Sequence, residues 1–290
     1  MLRKLKIFLE MIKFEHTLFA LPFAYMGAVL GAVFMLERLP SWPEIGWITL
    51  AMIGARSAAM GLNRIIDRTI DKRNPRTSAR AIPAGLLHFR EVMVFVVGSF
   101  GLLFLATSNL SSLSMKLLPV AVFMLVAYSY TKRITWLCHL FLGLTIALAP
   151  AGGWLAVTGQ GSWTSLIFYL SIAFWTTGFD IIYACQDVEF DRKEGLKSIP
   201  ARFGVRRSLW IAKGCHLLTA IGLTSLFFLA DLHGWYLAGI VISYGILFYE
   251  HAIVSEHDLS RANTAFFTMN GVLSCVVFAF TLVDTLVRFW

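Results

Sequence analysis

The chain has 290 residues, 58% of them hydrophobic and 14% charged, with a formal net charge of +8. A soluble domain carries about 25% charged residues, so this composition excludes a water-soluble fold and indicates an integral membrane protein. The basic residues fall in short stretches between apolar runs, which fits a lipid bilayer as partner and argues against nucleic acid.

The first fifteen residues, MLRKLKIFLEMIKFE, set Leu2, Leu5, Leu9 and Ile12 on one side, with Arg3, Lys4, Lys6 and Lys13 supplying positive charge. This predicts an amphipathic helix lying in the interface of an anionic leaflet. It resembles a signal-peptide n-region, but the next apolar run is too long and no small-residue cleavage site ends it, so it is expected to stay in the mature protein. Nine apolar spans are then predicted, at roughly 16–36, 45–66, 91–109, 114–131, 136–157, 164–184, 209–230, 235–254 and 264–287. Pro22, Pro119 and Pro150 lie within them, where neighbouring helices can satisfy the carbonyls a kink frees.

Lys and Arg crowd the N-terminus and the loops after the second, fourth and sixth spans. By the positive-inside rule these face the cytoplasm and the C-terminus lies outside, which predicts a multi-pass protein of the inner (cytoplasmic) membrane. The loop EHAIVSEHDLSRAN, more acidic than basic, departs from the pattern. Cys138, Cys185, Cys215 and Cys275 form no CxxC pair and imply neither a disulfide framework nor a zinc site. The histidines His88, His139, His216, His233, His251 and His257 show no convincing metal spacing and read as interface or loop residues.

The stretch ARSAAMGLNRIIDRTIDKRNPRTSARAIPAG, residues 55–85, closes the second span with polar residues at helical spacing. Asn63, Asp67 and Asp71 are four residues apart and share nearly one helix face, with the carboxylates about 6 Å from each other. Two like charges at the end of a membrane helix repel unless a cation lies between them, and Mg²⁺ suits a site of one or two carboxylates plus phosphate oxygens. The step recurs in Asp187 and Asp191, each 120 residues after its counterpart, with Asp180 and Tyr183 on the same face. A basic, turn-rich stretch follows each pair: KRNPRTSAR and RKEGLKSIPAR.

The even four-helix offset between the motifs predicts a single domain over 1–290, with two parallel halves (16–131 and 136–254) and a last helix. The expected architecture is all-α, with about nine transmembrane helices around a central polar cavity open to the cytoplasm. Four carboxylates with two Mg²⁺ ions would hold a diphosphate there, with Arg80, Lys132, Lys193 and Lys197 completing the site. A diphosphate leaving an allylic carbon creates a carbocation, which aromatic faces can stabilise; Tyr128, a turn before Lys132, and Tyr183, a turn before Asp187, are the candidates. The run RTSARAIPAG is either a phosphate-binding nest or a plain loop.

The segments NRIIDRTID (63–71) and DIIYACQDVEFDRKEGLKS (180–198) resemble the two aspartate-rich motifs of the UbiA superfamily of intramembrane prenyltransferases. YSYTK (128–132) resembles that family's YxxxK element, and the likeness covers nearly the whole chain. It implies transfer of a polyprenyl chain from polyprenyl diphosphate to a ring carbon ortho to a phenol, the acceptor being 4-hydroxybenzoate or, in a menaquinone branch, a dihydroxynaphthoate. It further implies that Asp67, Asp71, Asp187 and Asp191 bind Mg²⁺–diphosphate with help from Asn63, and that Tyr128 and Lys132 lie at the allylic diphosphate. Arg56, seven residues before Asn63, is a candidate for the acidic acceptor or else an ion-pair partner of Asp180. Where 4-hydroxybenzoate enzymes often carry Arg-x-Asp-Lys-Pro, this chain has KFEHT (13–17), which leaves the acceptor open. A transporter with a buried polar site and a CDP-alcohol phosphotransferase are the rival readings. Acids at helix ends near one face argue against the first, and two distant motif copies against the second.

Overall fold

In the computed structural model, residues 2–12 and 17–288 are described; Lys13, Glu15 and His16 of the KFEHT segment lie outside them. The order is α1 (Leu2–Met11), α2 (Thr17–Leu36), α3 (Trp42–Ile66), α4 (Arg68–Arg73), α5 (Phe89–Ser108), α6 (Ser112–Ile134), α7 (Cys138–Ile146) and α8 (Leu148–Thr158). Then come α9 (Trp163–Ala184), α10 (Val188–Lys193), α11 (Ile199–Phe203), α12 (Val205–Leu229), α13 (Gly234–Ala252), α14 (Ala262–Thr264), a π-helical turn (Ala265–Met269) and α15 (Asn270–Val287). No strand occurs among the described residues.

Every expected span falls on helix, but length and apolarity qualify seven segments among the described residues as membrane-crossing. The described apolar stretch of α2, Ala20–Leu36, is shorter, and α13, diluted by tyrosines, glycines, Glu250 and His251, is not among the seven. A count of nine is therefore not established on these criteria.

Apolar side chains lie both inside and outside. Phe23, Trp154, Phe168, Trp175 and Tyr236 fill a core between α2, α8, α9, α12 and α13. Val94, Phe123, Phe228 and Phe248 are exposed on the outer surface, where only hydrocarbon would satisfy them. Trp42, Trp163 and Trp235 open α3, α9 and α13 and are exposed there, consistent with an aromatic belt at one interface. The two aspartate motifs sit at the opposite ends of α3 and α9.

Helix α1 rests on α3 and α5, with Met11 and Ile12 buried beside Ile65, Leu87, Val92 and Val96. Lys4 pairs with Glu91, and Lys6 points to solvent. The predicted kink at Pro150 is a break: α7 ends at Ile146 and α8 starts at Leu148, because proline has no N–H for the Ile146 carbonyl. The break lets α8 close on α2 backbone to backbone. A Cβ on Gly153 would lie 2.0 Å from the Ala24 carbonyl oxygen, and one on Gly27 would lie 2.1 Å from that of Pro150.

Gly153→Val is expected to lower the melting temperature in detergent by forcing these backbones apart, an overpacking cost of at least about 2 kcal/mol. Gly46→Ala, where a Cβ meets nothing within 4 Å, serves as the control and should not lower it. Equal melting temperatures for Gly153→Val and the parent would contradict the close approach of α2 and α8.

Candidate active site

Each motif closes a long helix at an aspartate with almost the same backbone. Asp67 (φ −89°, ψ 3°) joins α3 to α4, and Asp187 (φ −101°, ψ 7°) joins a 3₁₀ turn after α9 to α10. These bridge-region angles break the regular helix without turning the chain away. The ladder continues across the first break through Asp67 N–H to the Asn63 carbonyl (2.9 Å) and Asp71 N–H to the Asp67 carbonyl (2.7 Å). The second aspartate of each pair, Asp71 or Asp191, therefore sits on a short helix and is buried.

All four acids have a basic partner. Arg133 Nη2 donates to Asp67 Oδ1 (2.7 Å) and Arg80 Nη1 to Asp71 Oδ1 (2.7 Å). Lys132 Nζ lies 2.8 Å from Asp191 Oδ1, and Arg76 chelates Asp187 through Nε (2.9 Å to Oδ1) and Nη2. Neutral donors complete the set: Asn63 to Asp67 (2.8 Å), Asn74 to Asp187 (3.2 Å) and Ser198 to Asp191 (2.8 Å). Burial pushes the Asp67 carboxyl above the usual carboxylate range, with Arg133 opposing that shift and Asp71 adding to it. Arg76 loses some of its charge preference to burial, but its hydrogen bonds to Asp187 and that group's charge hold it above the ordinary arginine value.

These groups surround a polar cavity of about 230 Å³. Of the predicted site residues, Asn63, Asp67, Asp71, Arg80, Tyr128, Lys132, Asp180, Tyr183 and Asp187 line it. Asp191 is fully buried behind it and reaches it through Lys132. Lys193 and Lys197 are exposed and outside the lining; the Lys197 ammonium donates to the Ile134 carbonyl at 2.9 Å. No group of three His, Cys, Asp or Glu side chains converges on one point among the described residues. That does not conflict with Mg²⁺, which binds through one or two carboxylates and keeps water and phosphate oxygens. Asp71 Oδ2 is buried without a hydrogen-bond partner, an oxygen suited to a hard cation.

A second, apolar cavity of about 300 Å³ adjoins the first, and the two share Tyr128 and Leu142 as lining. Its one charged lining residue is Arg56. Arg56 has no ion pair among the described residues, and its Nε is buried without a hydrogen bond. The pairing with Asp180 considered from sequence does not form; Asp180 Oδ2 lies 2.6 Å from His139 Nδ1 instead. Tyr128 donates to the Ala59 carbonyl (3.0 Å). Tyr183 is held by its own protein: Arg76 donates to its hydroxyl (2.7 Å) and covers its ring, and Phe266 stacks 4.2 Å away. Its ring is less available to a carbocation than expected.

Sequence reasoning missed Asn74, Arg76, Arg133 and His139 as lining residues. Arg76 and Arg80 belong to the RTSARAIPAG run and pair with Asp187 and Asp71. The histidines also need correction: His139 is buried in the cavity wall, and buried His216 meets His251 at 2.9 Å.

Residues 20–272 match the model of the UbiA prenyltransferase family. A 4-hydroxybenzoate octaprenyltransferase from Vibrio campbellii is 27% identical over 99% of both chains. A UbiA homologue from Aeropyrum pernix K1 superposes with a TM-score of 0.84, 28% identity, and coverage of 93% of this chain and 98% of that one. One from Archaeoglobus fulgidus, bound to GPP and Mg²⁺, gives 0.74 at 19% identity, covering 96% and 99%, and shows the shared fold. With all-helical architecture, membrane-crossing helices and both aspartate motifs in hand, the chain belongs to the UbiA prenyltransferase family and is a multi-pass membrane enzyme that transfers prenyl groups.

Proposed function

We propose that the enzyme transfers a polyprenyl chain from polyprenyl diphosphate to 4-hydroxybenzoate in quinone biosynthesis, using Mg²⁺, at a site facing the cytoplasm of the inner membrane. The observation that carries the acceptor half of this reading is Arg56: a guanidinium without an ion pair among the described residues, in an otherwise apolar cavity, calls for an anion with an apolar body. An aromatic carboxylate is such a ligand. The likeness to a 4-hydroxybenzoate octaprenyltransferase over both full lengths supports it.

Asp67 with Asp71 and Asp187 with Asp191 would hold Mg²⁺, and the buried Asp71 Oδ2, unpartnered among the described residues, supports that assignment. Held by these carboxylates, the metal would supply Lewis-acid stabilisation of the charge on a departing diphosphate. Asn63, Arg80, Lys132 and Arg76 bind diphosphate oxygens, while exposed Lys193 and Lys197 attract the anion at longer range. When the allylic C–O bond breaks, its electron pair leaves with the diphosphate. The ring carbon ortho to the acceptor's hydroxyl attacks the allylic cation, and that carbon loses its proton. The Tyr128 ring, between the two cavities, faces the cation, and the apolar cavity keeps water from capturing it.

The halves 16–131 and 136–254 act as parallel copies in this reading, supported by the matching backbone at Asp67 and Asp187. A dihydroxynaphthoate-type acceptor is the second reading, because KFEHT stands at 13–17 where 4-hydroxybenzoate enzymes often carry Arg-x-Asp-Lys-Pro. Mass spectrometry of the product from purified enzyme with each acceptor decides between them.

EDTA should abolish transfer and added Mg²⁺ restore it, and Asp67→Asn or Asp187→Asn should each lower kcat by about 10²-fold or more. Full activity in EDTA would overturn the metal assignment. Arg56→Ala should raise the KM of the acceptor at least about tenfold while that of prenyl diphosphate stays within about twofold, since one charge-assisted contact is lost. An unchanged acceptor KM would remove Arg56 from the site.

A further inference from the structure

His139 opens α7 and Asp180 lies on α9, and both line the polar cavity. Their helices meet at a point that fixes the pair. Gly143, one turn beyond His139, approaches α9 so closely that a Cβ would lie 2.3 Å from both the Ala173 carbonyl oxygen and Thr177 Oγ1. Neither helix can shift past the other without breaking that approach.

The imidazole stands behind the carboxylate: the His139 side chain is 4% exposed and that of Asp180 18%. One Asp180 oxygen, Oδ2, is taken by His139 Nδ1 at 2.6 Å. The other makes no protein hydrogen bond among the described residues. It is the partly exposed member of the pair, so the cavity sees a carboxylate oxygen that can accept and cannot donate.

Such an oxygen selects for a hydrogen-bond donor. Diphosphate is dominated by acceptor oxygens and would be repelled. An aromatic carboxylate would be repelled too, and its anionic end is drawn to Arg56 in the adjoining cavity. A ring hydroxyl is the group that fits Asp180. Opposite chemistries therefore stand in the two adjoining cavities, a cation for the acid end of the acceptor and a hydrogen-bond acceptor for its hydroxyl end.

We propose that His139 is a positioning residue that fixes Asp180 so that its free oxygen accepts the hydrogen bond of the aromatic acceptor's ring hydroxyl. This rests on the function proposed above. Holding the hydroxyl there orients the neighbouring ring carbon, the one alkylated, relative to the diphosphate site. Asp180 without its imidazole partner is free to rotate, and the hydroxyl contact loses its geometry.

The test compares the intact enzyme with His139→Ala, His139→Gln and Asp180→Asn in lipid, using the acceptor that yields product and that acceptor's O-methyl ether as inhibitor. His139→Ala and Asp180→Asn should raise the acceptor KM about tenfold, the effect of one hydrogen bond to a charged group. Inhibition by the methyl ether, which has no O–H to donate, and the KM of prenyl diphosphate should stay within about twofold of the intact enzyme. His139→Gln, which keeps an N–H for Asp180, should recover most of the loss. An unchanged acceptor KM in His139→Ala would overturn the proposal. So would a parallel rise for acceptor, methyl ether and prenyl diphosphate, which marks a structural role, or a glutamine variant no better than alanine. If the intact enzyme prenylates no hydroxy-aromatic acid, the proposed function fails and takes this inference with it; normal transfer by both intact enzyme and His139→Ala sinks this inference alone.

Discussion

Four carboxylates around one small cavity at the edge of a membrane cannot all remain charged without positive charge beside them. Asp71, Asp187 and Asp191 are buried, and Asp67 is pushed toward protonation by burial. Each is met by a basic side chain, Lys132 and Arg133 from the end of α6 and Arg76 and Arg80 from the loop after α4. The architecture follows from that requirement. Two helices end at aspartates with matching backbone angles, and the loop after the first motif folds back over the second, so that Arg76 reaches Asp187 across 111 residues of chain. A divalent ion would bring the same kind of charge as these basic side chains, which in turn lie within reach of an incoming diphosphate.

Beside this charged chamber lies an apolar one, and the boundary between them is Tyr128 with Leu142. The division suits a reaction whose two ends demand different solvents. Departure of diphosphate needs concentrated positive charge, whereas the cation it leaves behind survives only away from water. Arg56 gives the apolar chamber a single charged wall residue, and the break between α7 and α8 at Pro150 shapes another wall by letting α8 pack directly on α2. His139 and Asp180 line the charged chamber from the α7–α9 side.

Much of this was legible in the sequence because the signals are local or repeated. Long apolar runs announce helices, and an Asp-x-x-x-Asp step occurring twice at the same offset is hard to produce by chance on solvated helices. The identity of the acids' partners was not legible. Arg133 meets Asp67 from α6 and Arg76 meets Asp187 from a loop, pairings that depend on tertiary closure and leave no periodic trace. His139 sits in an apolar run, where a lone histidine reads as an interface residue; only its distance to Asp180, 41 positions away, shows otherwise. Tyr183 lines the cavity, yet its contact with Arg76 comes from the loop after the first motif and that with Phe266 from the π-helical turn before the last helix, which no pattern in residues 265–269 foretells.

The central claim is that paired aspartates bind a prenyl diphosphate through a divalent ion. Its most direct test is the affinity of the purified enzyme for a non-reacting prenyl thiodiphosphate, measured by calorimetry with and without Mg²⁺. The account predicts binding at least about tenfold tighter with the ion, the gain lost in a chain carrying Asp71→Asn and Asp191→Asn together. Equal affinity in the presence and absence of Mg²⁺ would contradict it.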